Sequence, residues 1–61
     1  MHLNIKVNLD NDAFSNDLPE ETIMCLYKVI EHLRQGRDWG VIHDTNGNKV
    51  GNWDIEEEEG E

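Results

Sequence analysis

The feature that most constrains the fold is an apolar stripe with helical spacing between residues 17 and 36. At about 100° per residue, four aliphatic side chains fall on this stripe: Ile23, Leu26, Ile30 and Leu33. Val29 and Tyr27 flank it. Polar residues fall on the opposite side: Glu21, Lys28, His32 and Gln35. The pattern predicts an amphipathic helix that buries its aliphatic stripe against an apolar partner.

Both ends of this helix carry local signals. Asp17 stands three residues before Glu20, which is the spacing of a capping box, where the capping side chain and a glutamate each bond to the other's backbone N–H. Pro19 has no backbone N–H, and in the first turn of a helix this costs nothing. Because the residue before a proline avoids the α region, Leu18 is an alternative cap. Gly36 suits the left-handed residue just beyond the C-terminus.

Residues 2–9 alternate between polar and apolar side chains. The apolar set on one side is Leu3, Ile5, Val7 and Leu9. This period of two predicts a half-buried strand with one solvated face. Residues 10–12, Asp-Asn-Asp, favour a turn, and we expect Phe14 in the following connection to close the open end of the core.

A β-hairpin is predicted at residues 44–47, Asp-Thr-Asn-Gly. Asp in the first place, Asn in the third and Gly in the fourth suit a type I turn closed by a left-handed glycine in a G1 bulge, which sets Asp44 opposite Asn48. A two-residue turn at Asn46-Gly47 is the alternative, and it shifts the pairing by one residue.

The hairpin needs a second irregularity to keep its apolar residues on one face. Counting outward from the turn pairs Ile42 with Val50 and Trp39 with Trp53, and Trp53 then points to the face opposite Val50. An extra residue at Gly51 would return Trp53 to the inner face.

The predicted order is strand, helix, strand, strand. We expect an α+β fold of β-α-β-β type, with one helix packed on a three-stranded, mostly antiparallel sheet. Residues 1–55 form this single domain, and residues 56–61 form an acidic, disordered tail. So short a chain buries only about 60% of its unfolded surface, and its one cysteine, Cys25, excludes an internal disulfide. We therefore expect a homodimer, formed by edge pairing or by a shared helix face.

Charge and hydropathy narrow the class of function. The net charge is −9 at neutral pH, and five of the negative charges lie in residues 56–61. This balance argues against direct binding to nucleic acid or to an anionic membrane. No stretch approaches the roughly 20 apolar residues of a membrane span, and no secretory signal pattern is visible. Together with the lone thiol, this predicts a cytoplasmic protein.

Catalytic and metal-binding patterns have simpler structural interpretations. Asp44-x-Asn46-x-Asn48 has the oxygen spacing that opens a calcium loop, but Lys49 stands where a glycine is needed and Ile55 where a bidentate glutamate is needed. Cys25 and His32 lie two turns apart, which makes half a zinc site. Neither a phosphate loop nor a nucleophile elbow is present. We expect no enzyme activity, no metal and no cofactor.

The candidate binding surface is acidic and partly aromatic. Met24 and Tyr27, rimmed by acids and Lys28, form a contact patch on the helix; alternatively, Tyr27 covers the sheet edge and Met24 is an isolated surface residue. The tail is a solvated end, a contact for a basic surface, or part of a carboxylate array that imitates DNA phosphates. The candidate protein-binding residues are Glu20, Glu21, Met24, Tyr27, Glu31, Glu56, Glu57, Glu58 and Glu59.

The C-terminal hairpin carries a family resemblance. Residues 44–55 resemble the D-x-N-G-N-x-V-G-x-W-x-I pattern of a group of very small phage and prophage proteins, and residues 4–14 match the opening of that group. The matching residues are turn and core residues, so they specify a fold more than an activity. The resemblance implies a phage origin and action in the bacterial cytoplasm, and the run of glutamates is not part of the pattern.

Two classes of function follow. The leading hypothesis is a small acidic phage-encoded protein that inhibits or modulates a host protein, a defence or nucleic-acid-handling factor, by occupying its basic surface. The alternative is a small structural or assembly module that acts as a homo-oligomer. A DNA-binding regulator is disfavoured by the charge, although a dimer could gather Lys6, Lys49, Arg34 and Arg37 on one face.

Overall fold

One antiparallel sheet of three strands, in the order β1-β3-β2, carries the helices on one face. The structure is a computed structural model and describes residues 1–57. The elements are β1 (His2–Val7), α1 (Asp12–Asn16), α2 (Leu18–Arg34), β2 (Trp39–His43) and β3 (Lys49–Glu56). The predicted α+β fold with one main helix on a three-stranded antiparallel sheet is confirmed.

Two boundaries differ from the predicted ones. β1 ends at Val7 rather than at residue 9. β3 continues through Glu56, which pairs with His2, so Glu56 belongs to the sheet and not to the tail. The rest of the predicted disordered tail, apart from Glu57, lies outside the described residues.

The short helix α1 was not predicted. Asn11 caps it by accepting a hydrogen bond from the backbone N–H of Ala13, at 3.2 Å. This turn of helix carries Phe14 into the core, where it is almost fully buried. The expected burial of Phe14 in the core is confirmed.

The ends of α2 follow the local signals. The Asp17 carboxylate accepts from the backbone N–H of Glu20 at 3.2 Å, so Asp17 is the cap. At the other end Gly36 has φ of +80°, and its N–H donates to the Leu33 carbonyl at 3.0 Å. The Arg37 N–H reaches back to the His32 carbonyl at 3.1 Å, which completes a Schellman motif.

The hairpin has the predicted turn. Gly47 has φ of +85° and donates to the Asp44 carbonyl at 3.0 Å, and the Asp44 N–H donates to the Asn48 carbonyl at 2.9 Å. This pairing excludes the two-residue turn. Beyond it, the ladder shifts register between Ile42 and His43, because Ile42 pairs with Gly51 and His43 with Lys49.

The register shift supplies the extra residue that the apolar pattern required, but at Val50 rather than at the predicted Gly51, which pairs with Ile42. Val50 is the residue of β3 left between the two pairs, and both Val50 and Trp53 are buried. The uncorrected outward count was therefore wrong: Trp53 pairs with Gly40, and Trp39 pairs with Asp54. At Gly51 a Cβ atom would run into the Lys6 carbonyl, so a glycine is required by the close approach of β1.

The orientation of α2 is the main departure from the prediction. The core consists of Phe14, Cys25, Val29, Ile42, Val50 and Trp53. The helix thus contributes Cys25 and Val29, together with the buried Glu21. The four stripe residues expected in the core are all between 39% and 45% exposed. The helix is therefore turned so that Glu21, Cys25, Val29 and His32, rather than the aliphatic stripe, form its more buried side.

Candidate protein-binding surfaces

The helix patch predicted from the sequence is present on α2. Glu20, Met24, Tyr27 and Glu31 follow one another at spacings of four, three and four residues, and all are exposed, with Tyr27 at 60%. The structure therefore brings these four candidates together on one accessible strip of the helix.

Glu21 does not belong to that strip. Its side chain is 8% exposed and accepts two hydrogen bonds from Thr45, one from the backbone N–H at 3.0 Å and one from the hydroxyl at 3.2 Å. Glu21 therefore fastens the hairpin turn to the helix. A partner could not contact it without displacing that turn, and we exclude it from the binding surface.

The Asp44 carboxylate accepts hydrogen bonds from the backbone of its own turn. One of its carboxylate oxygens accepts from the backbone N–H groups of Asn46, at 2.9 Å, and Asn48, at 2.8 Å. This is the local role that turn residues of this type perform. Within residues 1–57, no group of three or more His, Cys, Asp or Glu side chains is arranged to hold a metal ion.

Cys25 lies one turn after Glu21 on α2, and its side chain is buried. Burial raises the pKa of its thiol, and the negative charges of Glu21 and Asp44 raise this pKa further. A nucleophilic cysteine needs the opposite environment. The thiol therefore acts as a small core residue.

His32 and Trp53 join the other end of α2 to the sheet. The Trp53 indole N–H donates to Nδ1 of His32 at 2.9 Å. Because an indole is only a donor, Nδ1 must be the unprotonated nitrogen and the proton lies on Nε2. Burial lowers the pKa of His32, and the positive charges of Arg37 and Lys28 lower it further.

An acidic cluster with an exposed aromatic ring lies on the outer face of the sheet. Trp39 is 59% exposed and pairs across the strands with Asp54, which is also exposed. The Asn4 amide donates to the Asp54 carboxylate at 3.0 Å and to the Glu56 carboxylate at 3.2 Å. We call Trp39, Asp54 and Glu56 the acidic sheet end.

The acidic sheet end combines predicted and unpredicted residues. Glu56 was a candidate, and Glu57 follows it as the last described residue, whereas Glu58 and Glu59 lie outside the described residues. Trp39 and Asp54 were missed because the hairpin register assigned Trp39 to a different partner. The Arg37 guanidinium lies 5.5 Å from the centre of the Trp39 ring and covers part of it.

A second exposed surface consists of residues that the sequence had assigned to the core. On α2 these are Ile23, Leu26, Ile30 and Leu33, and on β1 they are Leu3 and Ile5. Leu3 pairs with Ile55 and Ile5 with Trp53, so both strand residues point to the same sheet face as α2. We call these six residues the apolar flank.

The apolar flank is open because α2 covers only part of the sheet. The helix packs on β2, whereas β1 lies at the other edge, beyond the central strand. On the β2 side the helix borders a cleft lined by Met24, Lys28 and His43. Its other side, which carries the aliphatic stripe, therefore faces the uncovered inner face of β1.

Comparisons with known proteins add no relative. The chain matches no protein-family model, no curated protein and no solved structure. Neither helix in residues 1–57 is long and apolar enough to cross a membrane.

Proposed function

We propose that this protein is a small acidic binding protein that acts by occupying a basic surface on another protein. The observation that carries the proposal is the acidic sheet end, where two exposed carboxylates stand beside an exposed tryptophan on an uncovered sheet face. Tryptophan is among the residues that most often anchor protein interfaces. Carboxylates around such an anchor favour a partner rich in lysine and arginine.

The geometry of β3 supports this use of the acidic residues. Asp54 and Glu56 alternate along the strand, so both point to the outer face, and the shared hydrogen bonds from Asn4 fix their positions. Fixed carboxylates lose less conformational entropy on binding than those on a free chain. The first residues of the glutamate run thus extend a preorganised surface.

The class of partner follows from the charge and from the resemblance together. A basic surface is typical of proteins that handle nucleic acids. With the phage resemblance, we propose a host defence or nucleic-acid-handling protein in the bacterial cytoplasm as the target. The protein would inhibit it by covering the surface that otherwise binds nucleic acid.

The test is affinity capture from nuclease-treated host lysate, followed by binding measurements with the purified partner at several salt concentrations. Asp54→Asn combined with Glu56→Gln should weaken binding and reduce its salt dependence, and Trp39→Ala should weaken it at every salt concentration. The matched control is Glu20→Gln combined with Glu31→Gln, which removes the same charge from exposed positions on the helix patch. If the control pair weakens binding and the sheet pair does not, the acidic sheet end is not the contact surface.

A further inference from the structure

The apolar flank has the sequence pattern of a helix–helix contact. Ile23, Leu26, Ile30 and Leu33 follow at spacings of three, four and three residues, with isoleucine and leucine alternating. These are the a and d positions of a heptad, and isoleucine at a with leucine at d favours association of two helices. Each of these side chains is between 39% and 45% exposed, and the strand on which α2 packs is β2.

The flank is also free of charge in a strongly charged molecule. None of its six residues is ionisable, whereas the chain carries a net charge of −9. Two copies of such a chain repel each other through their net charge, and a contact surface without charged groups adds no local like-charge repulsion to it. The charged residues of α2 occupy other positions of the helix: Glu20, Glu21, Lys28, Glu31 and Arg34. The flank is thus a surface through which two like-charged copies can meet.

The two halves of the flank complement each other. One half is a helix row without a partner, and the other is the inner face of β1 without a helix above it. A second copy supplies a helix for the uncovered strand and receives one in return. Such reciprocal use of one patch is the property of a two-fold symmetric interface.

The size of the chain favours the same arrangement. A domain of this length has a small stability margin, so an association that buries further apolar surface adds appreciably to it. Exposed apolar patches of roughly 300–600 Å² are the largest that ordinary monomers carry, and they are often functional. Leaving six aliphatic side chains half exposed on one flank is therefore the arrangement expected of a subunit.

We propose that this protein forms a homodimer in which α2 of each copy packs against α2 and the inner face of β1 of the other. The contact residues are those of the apolar flank. The acidic sheet end lies on the opposite face of the sheet and stays exposed in this dimer, so the inference is independent of the proposed function.

Sedimentation equilibrium of the full chain over a range of concentrations tests the proposal. The unmodified protein should sediment as a dimer at micromolar concentrations. Leu26→Glu should raise the dissociation constant about 100-fold or more, because two copies each bury an unpaired carboxylate. The matched control is Met24→Glu on the other side of α2, which is 39% exposed and should leave the dimer intact.

A second pair of variants tests the strand half of the flank. Leu3→Gln should weaken the dimer, whereas Lys6→Gln, on the outer face of the same strand, should not. Far-UV circular dichroism establishes that each variant is folded, which is expected because all four positions are exposed in the single chain. A monomeric unmodified protein at high micromolar concentration would overturn the proposal. So would a dimer that survives both flank variants, since it would then form through a strand edge or another face.

Discussion

Replacing Glu21 by alanine should destabilise the fold far more than replacing its neighbour Glu20. The Glu21 carboxylate is buried and accepts two hydrogen bonds from Thr45, which lies 24 residues away in sequence. Hydrogen bonds to a charged group contribute about 1.5–3 kcal/mol each when they are fully buried. Thr45 is exposed, so its N–H and hydroxyl recover water after the change, and each bond is expected to contribute less than that range, about 0.5–1 kcal/mol.

The expected loss for Glu21→Ala is about 2–3 kcal/mol, including roughly 0.8 kcal/mol for the buried methylene that is removed. A chain of this length has a free energy of unfolding of about 3–9 kcal/mol. The change therefore removes a large fraction of the total. Glu21→Gln keeps one acceptor oxygen and should cost about 1 kcal/mol.

The assay is urea unfolding followed by tryptophan fluorescence, with all variants at one protein concentration because association would add to stability. Trp53 is buried and reports the transition, whereas the exposed Trp39 contributes a nearly constant signal. Glu20→Ala is the control, and it should change stability by about 0.5 kcal/mol or less, because its side chain makes no hydrogen bond or ion pair within the described chain.

A double-mutant cycle with Thr45→Ala isolates the hydroxyl contact. The two single changes should be non-additive by about 0.5–1 kcal/mol, since they remove the same hydrogen bond. Equal stabilities for Glu21→Ala and Glu20→Ala, or strict additivity in the cycle, would refute the assignment of Glu21 as the residue that fastens the hairpin to the helix.

Three further predictions concern the buried side of α2. Because the folded state lowers the pKa of His32, the contribution of this residue to stability should be constant above about pH 6.5 and fall as the pH drops below it. His32→Gln should flatten this slope in urea titrations between about pH 5 and pH 7, and equal slopes would contradict the lowered pKa. Gly40→Ala should lower the free energy of unfolding by about 2–4 kcal/mol, because the added Cβ would displace the hydrogen-bonded His32 and Trp53 rings. The control is Gly36→Ala, whose Cβ meets open space; it should lower the free energy of unfolding by about 1 kcal/mol, the cost of a positive φ for alanine. Cys25 should react with a thiol reagent only at the rate of unfolding, so rapid labelling of the native protein would contradict its burial.

Local signals were sufficient to predict most of the secondary structure. Asp17 and Gly36 define the ends of α2 through hydrogen bonds with residues close in sequence, and the glycine at position 47 fixes the turn in the same way. The need for an extra residue in β3 also followed from a local pattern, the spacing of Val50 and Trp53. Each of these features depends on atoms within a few residues of each other.

The rotation of α2 could not be predicted from its own periodicity, because distant residues decide it. Gly40 leaves room under the helix for His32, which supplies the acceptor that the Trp53 N–H requires. At the other end Thr45 supplies donors for Glu21. Specific hydrogen bonds therefore hold Glu21 and His32 against the hairpin, and the aliphatic row of α2 stays partly exposed. The acidic sheet end was missed for a related reason, since Trp39 and Asp54 meet only through the shifted register.

The strand order determines which parts of the sheet can form first during folding. β1 is synthesised before β3, yet within residues 1–57 it pairs with β3 alone, and His2 pairs with Glu56. The sheet therefore cannot close until β3 has been translated and has left the ribosome. Since β2 and β3 are joined by a tight turn, this hairpin should form quickly, and the recruitment of β1 across the length of the chain should be the slower step.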